Sequence, residues 1–238
     1  MSKENQIERW KLKPFSSLNI PSNLTCPLCQ KTNNIETFKR FESYDLFQMD
    51  KIVRFQCAEC DLIFGDLRVL SLSQDELIQD YKDTYSYFNE GTTDIWFINL
   101  FTDILKFPKN KKILDYGSGS TLKYHNVLNN QGFNIDVYDK FLFSYNLEKN
   151  YYDIVFSHNV IEHLINPVDD VNEMLNYLKH DGILVISSPC WNYCYEFTHF
   201  HTFFFVNRSV EILISKLNLL LLDNIETNDT IIKIFKRK

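Results

Sequence analysis

Two pairs of cysteines have the spacing of metal ligands. Cys26 and Cys29 form the first Cys-x-x-Cys pair, and Cys57 and Cys60 form the second after 27 intervening residues. Each pair can present two thiolates from one tight turn, and two such turns complete a tetrahedral set of sulfur ligands. Because soft thiolates favour zinc over hard cations, the pattern predicts a zinc ion. Four cysteines leave no ligand position open, so the predicted zinc is structural; four unrelated buried cysteines are the alternative.

A glycine turn follows a short apolar stretch in the middle of the chain. The segment Lys112–Thr121 reads KILDYGSGST and contains two of the six glycines, Gly117 and Gly119. This order predicts a strand, a tight turn and the start of a helix, where the backbone can approach a ligand closely because glycine has no Cβ. Asp139 follows Gly117 by 22 residues. That is close to the offset of about 20 residues at which an acidic side chain accepts hydrogen bonds from ribose hydroxyls in nucleotide-binding βαβ units.

Several histidines follow the strands predicted after this turn. His158 and His163 come after one predicted strand, and His201 lies in the loop after the next. Doubly wound folds bind ligands at the carboxyl edge of the sheet, so these imidazoles are candidate general bases that take a proton from the acceptor. A hydrogen-bonded structural role is equally open for His163 and His201. His125 and His180 are predicted to be solvent-exposed on helices.

The sequence alternates between strand-like and helix-like segments. Strands are predicted at 134–139, 152–157, 183–188, 220–225 and 230–235, and helices at 120–130, 166–181 and 208–217. Gly182 is predicted to end the second of these helices. The alternation predicts an α/β fold with a doubly wound, Rossmann-like parallel sheet, and the short connection 226–229 predicts a terminal antiparallel hairpin.

These patterns divide the chain into four predicted segments. They are an N-terminal arm (1–21), a zinc-ribbon module (22–70), a helical linker or cap (71–107) and the sheet domain (108–238). Ser73 and Glu76 have the spacing of a helix-capping pair. The linker also carries an aromatic cluster that packs on the sheet or lines a substrate entrance. Its members are Tyr81, Tyr85, Tyr87 and Phe88.

Composition narrows the class of protein. The net charge is −6 and no long basic run precedes Lys233–Lys238, which argues against a dedicated nucleic-acid binder. The longest aliphatic run, Leu219–Leu222, is too short to span a membrane, and the polar N-terminus lacks the apolar core of a signal peptide. These features predict a cytoplasmic protein whose cysteines are metal ligands or free thiols rather than disulfides.

Together these segments resemble the class I S-adenosylmethionine-dependent methyltransferases. The matching pieces are ILDYGSGS, the acid Asp139, YDIVFSHNVIEHL, HDGILVISSP and the closing hairpin, over about residues 108–238. The resemblance implies that the glycine turn surrounds the amino-acid end of the cofactor, that the acid takes its ribose, and that the end of the next strand borders its methionine portion. The residues implied to bind the cofactor are Asp115, Tyr116, Gly117, Ser118, Gly119, Asp139, Ser157 and His158.

The ribbon in front of this domain resembles the zinc-containing methyltransferases of sugar and polysaccharide biosynthesis, which implies a nucleotide-linked sugar or a glycan as the acceptor. Two positions depart from the family pattern. Thr121 stands at the offset of a third glycine, and only 13 residues separate Asp139 from Asp153, where the family has a helix and a third strand. Phe141–Leu147 can supply a strand but hardly a helix as well, which puts the adenine pocket in doubt.

Three alternatives stay open at this stage. An RNA methyltransferase would use the ribbon to grip nucleic acid, but Met1–Leu70 carries ten Lys and Arg against nine Asp and Glu, almost no surplus of cations. A non-catalytic binding protein would have kept the fold after losing the adenine segment. The Glu162–His163 pair also resembles a segment that holds a divalent metal in ubiquinone-pathway O-methyltransferases, although Asn159 replaces the first acid of that pattern.

Overall fold

The computed structural model describes residues 20–46, 51–85, 94–119, 123–142, 146–228 and 230–238. Nearly all of the predicted N-terminal arm, Tyr87, Phe88 and the Ser120–Thr121 pair lie outside these ranges. The chain forms two compact units. The first comprises the described parts of Met1–Tyr87 together with Ile161–Asp170 and Ser188–Leu217, and the second comprises those of Phe88–Val160, Val171–Ser187 and Asn218–Lys238.

The first unit is built on two small antiparallel sheets. Its elements are β1 Asn23–Thr25, β2 Thr32–Asn34, β3 Lys39–Tyr44, β4 Lys51–Gln56, β5 Ile63–Gly65, α1 Leu67–Leu70, α2 Gln74–Tyr85, β10 Phe203–Phe204 and α6 Arg208–Lys216. Strands β1 and β2 pair across the first cysteine pair, and the second sheet has the order β10-β5-β4-β3. The predicted cap of α2 is confirmed, since Ser73 N–H donates to Glu76 Oε2 (2.9 Å) and Glu76 N–H donates to Ser73 Oγ (3.3 Å).

One buried cation fixes a loop of this unit. Arg54, in the middle of β4, is fully buried. Its guanidinium donates to the carbonyl oxygens of Glu196 (2.6 Å), Thr198 (2.6 Å) and His201 (3.0 Å). The planar fork of five N–H donors suits several acceptors at once, and the buried carbonyls would otherwise be unsatisfied. The loop 196–201 therefore takes its conformation from a strand that lies some 140 residues earlier in the chain.

The second unit is the predicted α/β sheet with its helices. Its elements are α3 Asp94–Asn99, which continues as a π-helix over Leu100–Ile104, β6 Lys112–Tyr116, α4 Lys123–Asn130, β7 Asn134–Tyr138, β8 Tyr152–His158, β9 Leu178–Ser188, β11 Leu219–Glu226 and β12 Ile231–Arg237, with α5 Pro167–Tyr177 leading into β9. Strands β6 to β9 pair in parallel, and β11 and β12 form an antiparallel hairpin. The six strands have the order β11-β12-β9-β8-β6-β7. The parallel sheet and the terminal hairpin are confirmed.

The core of the sheet unit is apolar and largely aromatic. Phe101 and Phe156 are fully buried and pack edge to face, with ring centroids 5.0 Å apart. The π-helix that continues α3 contributes to it, since Leu100 and Phe101 are both fully buried. Among the described residues, no helix combines the length and apolarity needed to cross a membrane.

Two local predictions are wrong. Helix α5 ends at Tyr177, and Gly182 lies inside β9, where a Cβ would come within 2.8 Å of the Asp153 carbonyl oxygen. Glycine is needed there for close strand packing and does not end a helix. His180 is exposed as predicted, but it lies on β9 rather than on a helix. The segment 141–147, which could supply a strand, is described only at residues 141–142 and 146–147, and these four residues are not in a strand.

The Arg54 contacts make a stability prediction. We expect Arg54→Met to lower the free energy of unfolding by about 3–5 kcal/mol, because several buried carbonyls lose their donor at once. Arg40→Met is the matched control on the neighbouring strand. Arg40 is half exposed and pairs with Glu42, so its loss should cost no more than about 1 kcal/mol. Urea unfolding of both variants measures the difference, and equal losses would contradict the role assigned to Arg54.

Candidate functional site

The glycine turn after β6 is held against the end of the neighbouring strand. The Gly117 and Ser118 N–H groups both donate to the Tyr138 carbonyl oxygen, at 2.7 and 3.1 Å. Gly117 has φ +84°, and a Cβ there would lie 2.3 Å from a methyl group of Val160. Only glycine meets both conditions. The turn is therefore tied to the carboxyl end of β7, which carries the predicted ribose-binding acid.

Asp139 lies beside the turn, as the sequence predicts. Its Oδ2 accepts from Gly119 N–H (3.2 Å), and its Oδ1 accepts from Phe141 N–H (2.9 Å). Burial raises the pKa of Asp139, and these backbone hydrogen bonds oppose that rise. Each carboxylate oxygen has a second lone pair, so the group can still accept from two hydroxyls of a ribose. These acceptor oxygens fit the ribose hydroxyls of S-adenosylmethionine.

Asp115 is engaged inside the protein. It is 1% exposed, and its Oδ2 lies against the Tyr124 hydroxyl and 2.9 Å from His125 Nε2. The exposure predicted for His125 is wrong, because this ring is buried and contacts Asp115. The carboxylate therefore fixes the start of α4 against the end of β6. A direct contact of Asp115 with the cofactor stays a prediction.

Ser157 and His158 end β8, next to β6 in the sheet. Ser157 is fully buried, and its Oγ has no hydrogen-bond partner within the described ranges. His158 Nδ1 lies 3.0 Å from Ser187 Oγ, and the ring packs against Trp96 with centroids 4.6 Å apart. Desolvation lowers the pKa of His158 to about 3, so the ring is neutral near pH 7. Its surroundings include Phe97, which stacks on Tyr124 at 4.4 Å. Aromatic side chains thus surround the end of β8, where the Ser157 hydroxyl has no hydrogen-bond partner among the described residues.

The four predicted zinc ligands converge in the first unit. Their sulfur atoms all lie within 4.8 Å of one another, with Cys26 Sγ to Cys60 Sγ at 3.5 Å and Cys29 Sγ to Cys57 Sγ at 3.6 Å. Sulfurs bound at about 2.3 Å to one tetrahedral zinc would be about 3.8 Å apart. The alternative of four unrelated cysteines is therefore wrong for their positions.

The two cysteine turns have the same backbone geometry. In the first, Gln30 N–H donates to the Cys26 carbonyl oxygen at 3.0 Å, and in the second, Asp61 N–H donates to the Cys57 carbonyl oxygen at 2.9 Å. Gln30 and Asp61 both have φ +64°. Two independent segments have adopted one uncommon turn that points a pair of sulfurs inward, as paired metal-binding turns require.

The first unit contains a second cluster of side chains that could bind a metal. It combines the two predicted bases His163 and His201 with Glu162, which was not predicted as a base. Glu162, His163 and His201 have side-chain donor atoms within 4.8 Å of one another. Burial raises the pKa of Glu162 to about 7 and lowers those of His163 and His201 to about 4 and 2. Position in the sequence predicted the two imidazoles, because each follows a strand. The sequence pointed to Glu162 only through the resemblance of the Glu162–His163 pair to a metal-holding segment, in which Asn159 replaces the first acid.

Backbone contacts hold this cluster in place. Thr202 N–H donates to the Glu162 carbonyl oxygen (2.7 Å), Thr202 Oγ1 donates to the Leu164 carbonyl oxygen (2.8 Å), and Ser188 Oγ donates to Glu162 Oε2 (2.9 Å). Cys190 is buried with its sulfur 3.6 Å from His201 Nδ1, and burial raises its pKa well above the usual value. Cys190 is therefore an unreactive thiol, and Cys194 is exposed.

A buried histidine absent from the predicted site also lies in this unit. His199 Nδ1 is 3.0 Å from Asp45 Oδ1, and its Nε2 is 3.6 Å from Asp80 Oδ2. Burial lowers the pKa of His199, but the two carboxylates outweigh it, so the pKa is raised overall. The ring joins the loop before β10 to β3 and α2. No sequence pattern indicated this contact, because its partners are 154 and 119 residues away.

Comparisons with known proteins agree with the sheet and its glycine turn. The profile of the methyltransferase domain family matches residues 97–220, which is just over half of the chain. No curated protein matches the sequence significantly. A chain of the complex between the Trm112 methyltransferase activator and a methyltransferase of Haloferax volcanii has a TM-score of 0.51 and 10% identity, over 67% of this chain and 96% of that one.

Two further solved structures have lower similarity. An S-adenosylmethionine-dependent methyltransferase of Archaeoglobus fulgidus has a TM-score of 0.49 and 15% identity, over 65% of this chain and 100% of that one. The 1,6-didemethyltoxoflavin N1-methyltransferase of Burkholderia thailandensis, solved with its substrate and S-adenosylhomocysteine, has a TM-score of 0.49 and 11% identity, over 79% and 96%. With the sheet order, the glycine turn and its acid in place, this chain belongs to the methyltransferase domain family and is an S-adenosylmethionine-dependent methyltransferase.

Proposed function

We propose that this methyltransferase acts on a carbohydrate hydroxyl, in a nucleotide-linked sugar or a growing glycan. The observation that carries the proposal is the convergence of four cysteine sulfurs in a ribbon on the same chain as a methyltransferase sheet. That combination is the basis of the resemblance to methyltransferases of sugar and polysaccharide biosynthesis. The near balance of charges in Met1–Leu70 disfavours RNA, because phosphate contacts need a surplus of cations.

The four cysteines hold a structural zinc ion in this proposal. Four thiolates fill a tetrahedral shell, so the ion would leave no position for water or substrate. Its contribution is to the fold: Cys57 directly follows β4, so zinc binding would fix the end of the strand that carries Arg54. Since site formation and folding are coupled, the metal would stabilise the whole four-stranded sheet.

The residues at the carboxyl ends of β6, β7 and β8 form the proposed cofactor site. S-adenosylmethionine supplies an electrophilic methyl group on its sulfonium when it is bound. Asp139 would accept the ribose hydroxyls, and the Gly117–Gly119 backbone would face the amino-acid end. Ser157 would supply a hydroxyl to the methionine portion, and the neutral ring of His158 would form its wall. Most of the rate enhancement in such a site comes from holding the acceptor in line with the methyl group.

Metal content tests the zinc proposal. Protein purified without added zinc should contain about one equivalent, and Cys57→Ser should lose it and unfold at lower denaturant concentration. Cys194→Ser is the matched control, because this thiol is exposed and outside the cluster. Elemental analysis and urea unfolding give both results. Metal-free wild-type protein with an unchanged fold would refute a structural zinc.

Cofactor affinity tests the role of Asp139. Asp139→Ala removes two charge-assisted acceptors, each worth about 1.5–3 kcal/mol, so the affinity for S-adenosylmethionine should fall at least about tenfold. Asp136→Asn is a control on the same strand, since Asp136 contacts Lys112 and Tyr152 instead. It should keep the wild-type affinity. Calorimetric titration measures both variants, and equal binding by Asp139→Ala would place the ribose elsewhere.

Acceptor screening tests the proposed substrate class. Purified protein with radiolabelled S-adenosylmethionine is incubated in parallel with a panel of nucleotide sugars, oligosaccharides and total RNA. We expect label in a sugar fraction, and an ether linkage that resists mild base would identify a hydroxyl acceptor. Label found only in RNA would reject the carbohydrate proposal and favour the RNA alternative.

A further inference from the structure

The Glu162, His163 and His201 cluster has features of a metal site that a pair of structural histidines would not need. The three residues come from two segments, the 3₁₀ turn Ile161–His163 and the loop before β10, and their donor atoms still meet within 4.8 Å. The two imidazole rings have centroids only 5.0 Å apart. One nitrogen of each imidazole and one oxygen of the carboxylate therefore lie close together.

Backbone carbonyls fix the tautomer of both imidazoles. His163 Nδ1 lies 2.9 Å from the Phe200 carbonyl oxygen, and His201 Nδ1 lies 3.0 Å from the Tyr195 carbonyl oxygen. A carbonyl oxygen only accepts, so each Nδ1 carries the proton and each Nε2 carries a lone pair. Metal-binding histidines are oriented in this way, with the second ring nitrogen donating to a carbonyl or carboxylate. Both rings therefore carry the same type of support.

The carboxylate has one satisfied oxygen and one unsatisfied oxygen. Glu162 is fully buried; Oε2 accepts from Ser188 Oγ, whereas Oε1 has no hydrogen-bond partner among the residues that the structure describes. A buried acceptor without a partner is costly, and a buried anion is more so unless a cation or donor compensates it. A cation bound by the imidazoles would satisfy this oxygen. Ligand atoms about 2.1 Å from one ion lie no more than about 4.2 Å apart. The three donor atoms, which lie within 4.8 Å of one another, are therefore near the spacing that a bound ion requires.

We propose that Glu162, His163 and His201 bind one divalent transition-metal cation, of the Mn²⁺, Fe²⁺, Co²⁺ or Zn²⁺ class, with coordination positions left open for oxygen ligands. Two imidazoles and one carboxylate suit these ions better than Mg²⁺ or Ca²⁺, which prefer oxygen alone. Three protein ligands leave at least one position for water or substrate, unlike the closed set of four cysteines. His163 and His201 are each partly exposed, whereas Glu162 is buried.

This site gives the predicted bases a different role. The sequence predicted that His163 or His201 removes the acceptor proton directly. As metal ligands, the imidazoles would instead hold a cation that binds a hydroxyl oxygen and makes it more acidic, the Lewis-acid role of such ions. A pair of adjacent hydroxyls, as in most sugars, could occupy two open positions. This last step rests on the proposed carbohydrate acceptor, whereas cation binding itself does not.

Titration with Mn²⁺ alone tests cation binding. Mn²⁺ is a poor match for thiolates, so zinc-loaded protein keeps its four-cysteine site filled while the second site is titrated. Electron paramagnetic resonance counts free Mn²⁺, and we expect about one equivalent to be bound. Glu162→Gln keeps the shape and the Ser188 contact but removes the charge, and it should weaken binding at least about tenfold. His163→Gln should do the same.

A matched control and a second probe complete the test. His180→Gln changes an exposed imidazole on β9 and should bind Mn²⁺ as the wild type does. Co²⁺ bound to the wild type should give weak visible bands without thiolate charge-transfer absorption, which identifies nitrogen and oxygen ligands even if a variant fails to fold. Wild-type protein that binds none of these ions beyond the four-cysteine site would overturn the inference, as would wild-type affinity in both folded variants.

Activity separates this inference from the proposed function. Once an acceptor is identified, methyl transfer to a sugar that continues at full rate in Glu162→Gln would overturn the metal's catalytic role and leave the carbohydrate proposal intact. Cation binding to the wild type without transfer to any sugar would support the site and count against the proposed acceptor.

Discussion

The hydrogen bonds of the Arg54 guanidinium hold together the parts of the first unit that carry the two proposed metal sites. Arg54 lies on β4 between the two cysteine turns, and its donors reach the carbonyls of residues 196, 198 and 201. His199 and His201 stand on that same loop, so the strand that leads into the second cysteine pair also sets the position of both imidazoles. A buried guanidinium is costly unless every donor is used, and here the acceptors are main-chain oxygens that no side-chain substitution can remove.

Arg54 links the strand between the two cysteine turns to the loop 196–201. This link does not require a catalytic role for zinc. Gln56 ends β4 and Cys57 begins the second turn, so the proposed zinc ion would order the four sulfurs and the strand together. Strand β10 pairs with β5, with Phe203 opposite Phe64. Thr202, which directly precedes β10, donates hydrogen bonds to the carbonyl oxygens of Glu162 and Leu164. The path from the cysteine turns to the Glu162 cluster is therefore continuous, through two strands and one loop of a single unit.

Local patterns in the sequence predicted the elements, and distant contacts set what could not be predicted. The glycine turn, the acid at 139 and the Ser73 cap depend on neighbouring residues or on regular βα spacing, and each is found where expected. By contrast, His125 was predicted to be exposed because its helix is polar, yet Asp115 binds it across the end of β6. Gly182 is predicted to end a helix but lies inside β9. A glycine beside a strand gives the same sequence signal whether it ends the preceding helix or allows the strand to pack closely on its neighbour. His201 meets Glu162 and His163 only because β10 pairs with β5, a distant strand. The periodicity of the sequence does not predict such a pairing.

The short segment after β7 affects one side of the cofactor site more than the other. In the described residues β7 is the edge of the sheet, so the strand that the family places beyond it is not available to support the adenine. The ribose side does not depend on that strand. The Gly117 and Ser118 amides bond to the end of β7, and the Gly119 amide bonds to Asp139, so the turn and the acid support each other across two adjacent strands. Hydrogen bonds to a charged acceptor contribute more than apolar contact with one face of a base, so in the proposed site a sheet reduced at this edge would keep the ribose end.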